Sequence, residues 1–218
     1  MPEWLTSLIT RAGLAPSAKT PLRSLRYVVL DTELTSLDRR TNRLLSVGAI
    51  AMQGASIRLG EQFYRVVRQE VEIPAESILI HGLRPVDIEN GAAPEEVWSD
   101  LRAFVGEAVL VGHFFGIDRN VLRKELRPSG GGLENAAIDT ARVCHWLESH
   151  RARYAGLEQS EERLDLAAVA QRLGLEVHDV HHALYDAYVT AQLWQRFIPQ
   201  LEAHGVATLR ECLRIAGC

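Results

Sequence analysis

Apolar residues fall along this chain in two regimes. In the first third they run continuously or alternate. Tyr27-Val28-Val29-Leu30 is β-branched, aromatic and unbroken, which predicts a buried strand. Residues 43–52 predict a second strand and residues 56–67 a third, with Gly54 and Ala55 as the turn between them. Three strands on short loops imply an antiparallel meander. Helical spacing then takes over. Short helices are expected at 76–81 and 84–90, and a stronger one at 94–105, where Pro94 opens the first turn and Val97, Leu101 and Phe104 share a face. Val109-Leu110-Val111-Gly112-His113 is another buried strand, followed by a helix over 118–126, a short strand at 137–140 and a helix over 141–147. Residues 148–162 are polar and predict a loop; helices follow at 165–173, 184–197 and 201–215, the last broken at Gly205.

A meander followed by strand–helix alternation predicts an α/β mixed sheet with helices on its faces. The organisation expected is a helical appendage at 1–24, a main domain at 25–198 and a helical tail at 199–218. With 47% hydrophobic residues among 218, the chain can bury a sizeable core. The net charge of −4, from 24 basic and 28 acidic residues, argues against wrapping long nucleic acid and permits contact with a few phosphates. Cys144, Cys212 and Cys218 form no paired motif, which argues against a disulfide framework or a zinc site. Met1–Gly13 lacks the marks of a signal peptide and no apolar stretch reaches membrane-spanning length, so a cytoplasmic protein without membrane contact is expected.

Three distant segments carry the chemistry. Asp31-Thr32-Glu33 ends the first apolar run, and residues two apart in a strand point to one face, so these carboxylates project together. Acids so close repel unless a cation neutralises them, and oxygen ligands without thiols favour magnesium or manganese. Asp118 opens a helix after a strand, and Asp186 lies near the start of a long helix. Four converging carboxylates can hold two divalent ions that clamp the attacking and leaving oxygens of a phosphodiester. His181, five positions before Asp186, is suited to take the proton of an attacking water. Each piece has an ordinary reading alone: a solvated strand end, a helix cap, a surface histidine, for which neighbouring His182 would serve as well. Their joint order and context carry the metal-site reading.

These segments resemble the motifs of the DEDDh 3′-5′ exonucleases of the ribonuclease H-like superfamily, as in the proofreading subunit of bacterial DNA polymerase III and its stand-alone relatives. Asp31-Thr32-Glu33 resembles the family's D-x-E; His181, Ala183, Asp186 and Ala187 match H-x-A-x-x-D-A in full; Ile80-His81-Gly82-Leu83 resembles a short signature between them. The resemblance spans about residues 25–197. It implies a ribonuclease H-like five-stranded mixed sheet, two Mg2+ or Mn2+ ions on Asp31, Glu33, Asp118 and Asp186, and His181 as general base. It implies 3′-end hydrolysis of single-stranded nucleic acid, DNA favoured, to nucleoside 5′-monophosphates. Substrate contacts are expected from Thr32, Leu34, Thr35, His81, Phe114 and Phe115. Two positions depart from the family: Phe114 stands where its second motif has asparagine, with Ile117 replacing the aromatic before the aspartate, and Ser36 stands where its first motif has glycine. Other readings are an accessory subunit that docks on a polymerase through the N-terminal helix or the tail, an RNA-trimming exoribonuclease, or a binding module without catalysis.

Overall fold

The computed structural model describes residues 15–38, 40–126, 132–155, 164–178 and 181–218. Its centre is one mixed sheet in the order β3-β2-β1-β4-β5, with β1 at Arg26–Leu34, β2 at Leu44–Gln53, β3 at Ser56–Val66, β4 at Val109–Gly112 and β5 at Ala137–Asp139. The first three strands form the expected antiparallel meander, and β4 and β5 add in parallel on the other side of β1. The helices are α1 Ala75–His81, α2 Pro85–Glu89, α3 Pro94–Val105, α4 Gly116–Leu126, α5 Thr140–Ala155, α6 Leu166–Arg172, α7 Ala183–Ala203 and α8 Leu209–Ala216. This is a ribonuclease H-like architecture, with helices on both faces.

The two-residue period of β1 sorts its side chains between two cores. Tyr27 and Val29 face one, with Ile50, Val111, Trp194, Phe197 and Cys212. Val28 and Leu30 face the other, with Val47, Phe63, Trp98, Leu101, Val121 and Leu122. Asp31 and Glu33 continue the Tyr27–Val29 parity and Thr32 continues the Val28–Leu30 parity. The acids therefore emerge on the side covered by α7, and Thr32 on the side covered by α4.

Three expectations change. The D-T-E triplet lies inside β1, which runs on to Leu34 paired with β2. Helix α5 extends to Ala155, into the span expected as a loop; residues 156–163 lie outside the described residues. The tail expected at 199–218 is not separate. The boundary at 198 falls inside α7, and α8 buries Leu209, Cys212 and Ala216 in the shared core because its apolar residues recur on one face. Residues 1–14 of the expected appendage lie outside the described residues. Of its remainder, Leu22 is fully buried, accepts the Tyr27 hydroxyl on its carbonyl, and is flanked by a Pro21–Thr208 bridge.

The sheet has two edges. At one, Gly217 bridges Ile138 of β5 and the Cys218 N–H donates to the Ala137 carbonyl. At the other, β3 exposes Arg58, Glu61 and Arg65, and its pairing with β2 slips between Ile50 and Ala51.

Candidate metal centre

β1 and α7 together build the site. Asp31 pairs across the sheet with Gly48 of β2. A Cβ at Gly48 would lie 2.1 Å from the Leu184 nitrogen and 2.3 Å from the Ala183 carbonyl carbon, so the first turn of α7 rests directly on β2 backbone. Ala183 and Ala187 are both fully buried beneath it. The two alanines of H-x-A-x-x-D-A thus have a steric reason: small side chains let the helix descend until Asp186 reaches β1. A side chain at position 48 has no room, and overpacking of this kind costs about 1–3 kcal/mol. Gly48→Ala is expected to lower Tm by about 4–10 °C and nuclease turnover by roughly 100-fold, the order of loss that an ångström of misplacement produces. Thermal melts and end-labelled digestion read the two effects.

With α7 seated, one ligand oxygen from each of Asp31, Glu33 and Asp186 lies within 4.8 Å of the others. Glu33 and Asp186 are buried, and Glu33 Oε1 and Asp186 Oδ1 are buried without a hydrogen-bond partner. Asp118, buried in the first turn of α4, stands beside this trio; its Oδ1 accepts the Thr32 hydroxyl at 2.5 Å. The opposite parity of Thr32 explains that bond: the residue between the two strand acids reaches under the sheet to hold the fourth acid, Asp118.

The electrostatics follow from the crowding. Burial first, then Asp118, Asp186 and Glu33, push the Asp31 carboxyl well above the usual range. Burial and the charges of Asp186 and Asp118 push Glu33 up to about 8. Burial raises Asp118 to about 7, against hydrogen bonds from Thr32 and the backbone that favour its charge. Asp186 is raised by burial and eased by the His181 N–H. Acids held this close, with two orphaned oxygens, fit a divalent cation, whose charge supplies what the protein does not.

His181 lies at the rim. Its N–H donates to Asp186 Oδ2 at 2.8 Å and its backbone is left-handed, φ 71°, a conformation rare for a residue with a side chain. Its imidazole is exposed. The ring of His182 instead stacks on Tyr64 of β3 at 4.7 Å, which separates the two neighbours by environment.

Four of the six expected substrate contacts have buried side chains with other work. The Thr32 hydroxyl is committed to Asp118. Thr35 Oγ1 accepts the Arg43 N–H. His81 accepts the Leu83 N–H on Nδ1 and so donates from Nε2 to Ser77, whose hydroxyl donates to the Leu34 carbonyl. That relay ties α1 to the end of β1, and burial with nearby His181 keeps the His81 ring neutral. Phe115 is fully buried, its ring 2.1 Å from where a Cβ on Gly112 would stand. Leu34 is partly buried and packs against the Val28–Leu30 core, so of the six only Phe114, 45% exposed, presents its side chain outward. Asp139 is buried, and its Oδ1 accepts both the Phe114 and Ala141 N–H groups, fixing the turn after β4. Its position at a strand end before a helix was the available signal.

A ribonuclease H-like sheet with an acid cluster where β1 meets a helix start defines a class of metal-dependent nucleases. An exonuclease family model, RNase_T, matches residues 28–194, and the chain belongs to that family. It is 30% identical over 204 residues to the DNA polymerase III subunit epsilon-like protein of Rhodobacter capsulatus, covering 92% of this chain and 28% of that protein. It is 30% identical over 186 residues to the PolC-type DNA polymerase III of Thermotoga maritima, covering 85% and 13%. The epsilon subunit of Aquifex aeolicus is 26% identical over 176 residues, covering 80% of this chain and 81% of the subunit. The chain thus spans under a third of the first two. Among solved structures, E. coli exonuclease I in complex with a dT13 oligonucleotide superposes with a TM-score of 0.69 at 15% identity, over 84% of this chain and 43% of that one, a likeness of fold. No helix among the described residues is long and apolar enough to cross a membrane.

Proposed function

We propose that this chain is a 3′-5′ exonuclease that removes nucleoside 5′-monophosphates from single-stranded nucleic acid, DNA in preference. The observation that carries the reading is the approach of Asp31, Glu33 and Asp186 within 4.8 Å with two oxygens unpartnered. Family membership and the oligonucleotide held by exonuclease I support it. Asp31, Glu33, Asp118 and Asp186 would hold two Mg2+ or Mn2+ ions, which supply positive charge for the attacking and leaving oxygens of the phosphodiester. Thr32 keeps the Asp118 carboxylate turned to the site. Gly48, Ala183 and Ala187 set the height of Asp186. His181, tethered to Asp186 through its own N–H, accepts a proton from the attacking water at an imidazole nitrogen. Leu34 and Phe114 flank the terminal nucleotide.

The test is digestion of matched 5′-labelled DNA and RNA single strands with magnesium, manganese or chelator. Stepwise shortening from the 3′ end that stops with chelator is expected, faster on DNA. Internal cuts, or no shortening with either metal, reject the reading. His181→Ala is expected to lower kcat by about 10²–10⁴-fold, the range for a lost proton acceptor, while divalent ions still raise Tm as in the parent. Loss of that metal response would reassign His181 to structure.

A second reading is a domain that works attached to, or docked on, a polymerase. The named relatives and the small fraction of PolC-type proteins that the chain covers favour it. Co-purification of a polymerase subunit, with turnover rising on its addition, would support it.

A further inference from the structure

The first turn of α7 is gripped from two sides, and the acids supply one grip only. Asp31, Gly48 and Tyr64 are directly paired across β1, β2 and β3, so these positions share one face of the sheet. Gly48, the middle one, has no side chain, and the backbone of Ala183 and Leu184 fills the space above it. The start of α7 therefore lies between Asp31 and Tyr64, which are two strand spacings apart, about 10 Å. Asp186 closes on the Asp31 side. On the other side the ring of His182, the residue before Ala183, stacks on Tyr64 with centroids 4.7 Å apart and planes inclined by 23°. We propose that Tyr64, acting through His182, is a positioning residue for the His181 imidazole. The inference rests on the exonuclease reading above, in which His181 accepts a proton.

Two further observations give the stack this purpose. The first is strain. His181 has φ 71°, and a residue with a side chain stays in that region only where its surroundings hold it. Asp186 Oδ2 holds the turn through the His181 N–H. That carboxylate also belongs to the acid cluster, so this hold is shared with whatever ion the cluster takes. The stack one residue later is independent of the acids and gives the turn a second, fixed reference.

The second is the choice of residue. His182 is the N-cap of α7, a position where Ser, Thr, Asp or Asn ordinarily bonds the free N–H groups of the first turn. The His182 side chain makes no cap hydrogen bond. Its ring is spent on Tyr64 instead. Histidines 181 and 182 share a peptide bond, so anchoring the second ring fixes the direction in which the first leaves the turn. His181 itself is exposed and has no packing of its own to orient it.

The experiment measures kcat and KM on a 5′-labelled oligothymidylate in saturating Mg2+ for Tyr64→Leu, Tyr64→Phe and His182→Ala. The last removes an exposed ring and keeps the test clear of misfolding. Tyr64→Leu and His182→Ala are each expected to lower kcat about tenfold, the order to which one aromatic pair can favour a single conformer, with KM within about twofold of the parent. Tyr64→Phe returns the ring and is expected to restore kcat to within about threefold. With His181→Ala already in place, neither Tyr64→Leu nor His182→Ala is expected to lower kcat further, because a residue that acts through another then has nothing to act on. The rise in Tm on adding Mg2+ is expected to match the parent in all three, since the acids stay in place.

A kcat within about twofold of the parent in both Tyr64→Leu and His182→Ala overturns the proposal and leaves the nuclease intact. So does a loss that persists undiminished without His181, or one that comes with a weaker metal response, which would mean that the stack seats α7 and its acid. A change in KM alone assigns the rings to substrate and overturns it likewise. Failure of the parent to shorten the strand overturns the exonuclease reading and this inference with it.

Discussion

Asp31→Asn and Glu33→Gln are each expected to abolish exonuclease turnover, by at least about 10³-fold, while making the metal-free protein harder to melt. The two effects share one cause. In the folded chain Asp31, Glu33 and Asp186 stand within 4.8 Å, and Asp118 adds its charge to theirs. Transition-state stabilisation by a bound divalent ion is worth several kcal/mol, each 1.36 kcal/mol being tenfold in rate. An amide at either position removes a ligand charge and forfeits much of that. The same amide removes one member of a repelling set. At pH 8 in chelator, Tm is expected to rise by about 2–8 °C, corresponding to 1–2 kcal/mol of relieved repulsion. Turnover within tenfold of the parent would show that these carboxylates are not the catalytic set. A fall in metal-free Tm would show that they contribute to the fold by some route other than repulsion.

The second large effect is a pH-dependent response to divalent ions. Glu33 titrates near 8 in the folded chain against an ordinary 4.5, and Asp118 near 7 against 3.8. Without metal the folded state keeps protons that the unfolded chain has lost, so stability is fully present below about pH 4 and falls as pH rises toward 8. Mg2+ or Mn2+ binds the ionised acids, and ion at 100 times its Kd adds about 2.7 kcal/mol. The rise in Tm on adding metal is therefore expected to be small at pH 5 and largest near pH 8, where it reaches about 5–10 °C. Melts across that range, with and without chelator, measure it. A metal response that is flat in pH, or larger at pH 5, would mean that the ion binds away from these acids.

Sequence and structure agree where a pattern is local and diverge where partners come from elsewhere in the chain. The meander, the helix over Pro94–Val105 and the shared face of Asp31 and Glu33 follow from periodicity and hold without revision. The acids that gather here were legible as candidates because two share a face late in a strand and two lie in the first turn of a helix. The family resemblance implies Thr32 as a substrate contact. Its true partner, Asp118, is 86 positions away and becomes apparent only once β1 parity is tied to the placement of α4. His81 resembles a groove residue by motif, and its commitment to Ser77 and Leu83 depends on how α1 closes over β1. Phe115 and Phe114 are indistinguishable as letters; a turn fixed by Asp139 buries one ring and exposes the other. The C-terminal helix was taken as an appendage because an amphipathic segment does not reveal whether its apolar face meets its own domain or another.

The outer strand β3 carries a further consequence. A free strand edge with regular spacing is a template on which a second molecule can add its own strand, the first step toward insoluble assemblies. Here the charged row of Arg58, Glu61 and Arg65, together with the slip opposite Ile50 and Ala51, spoils that template on one border, while Gly217 and Cys218 occupy part of the other. Concentrated solutions should remain clear on storage.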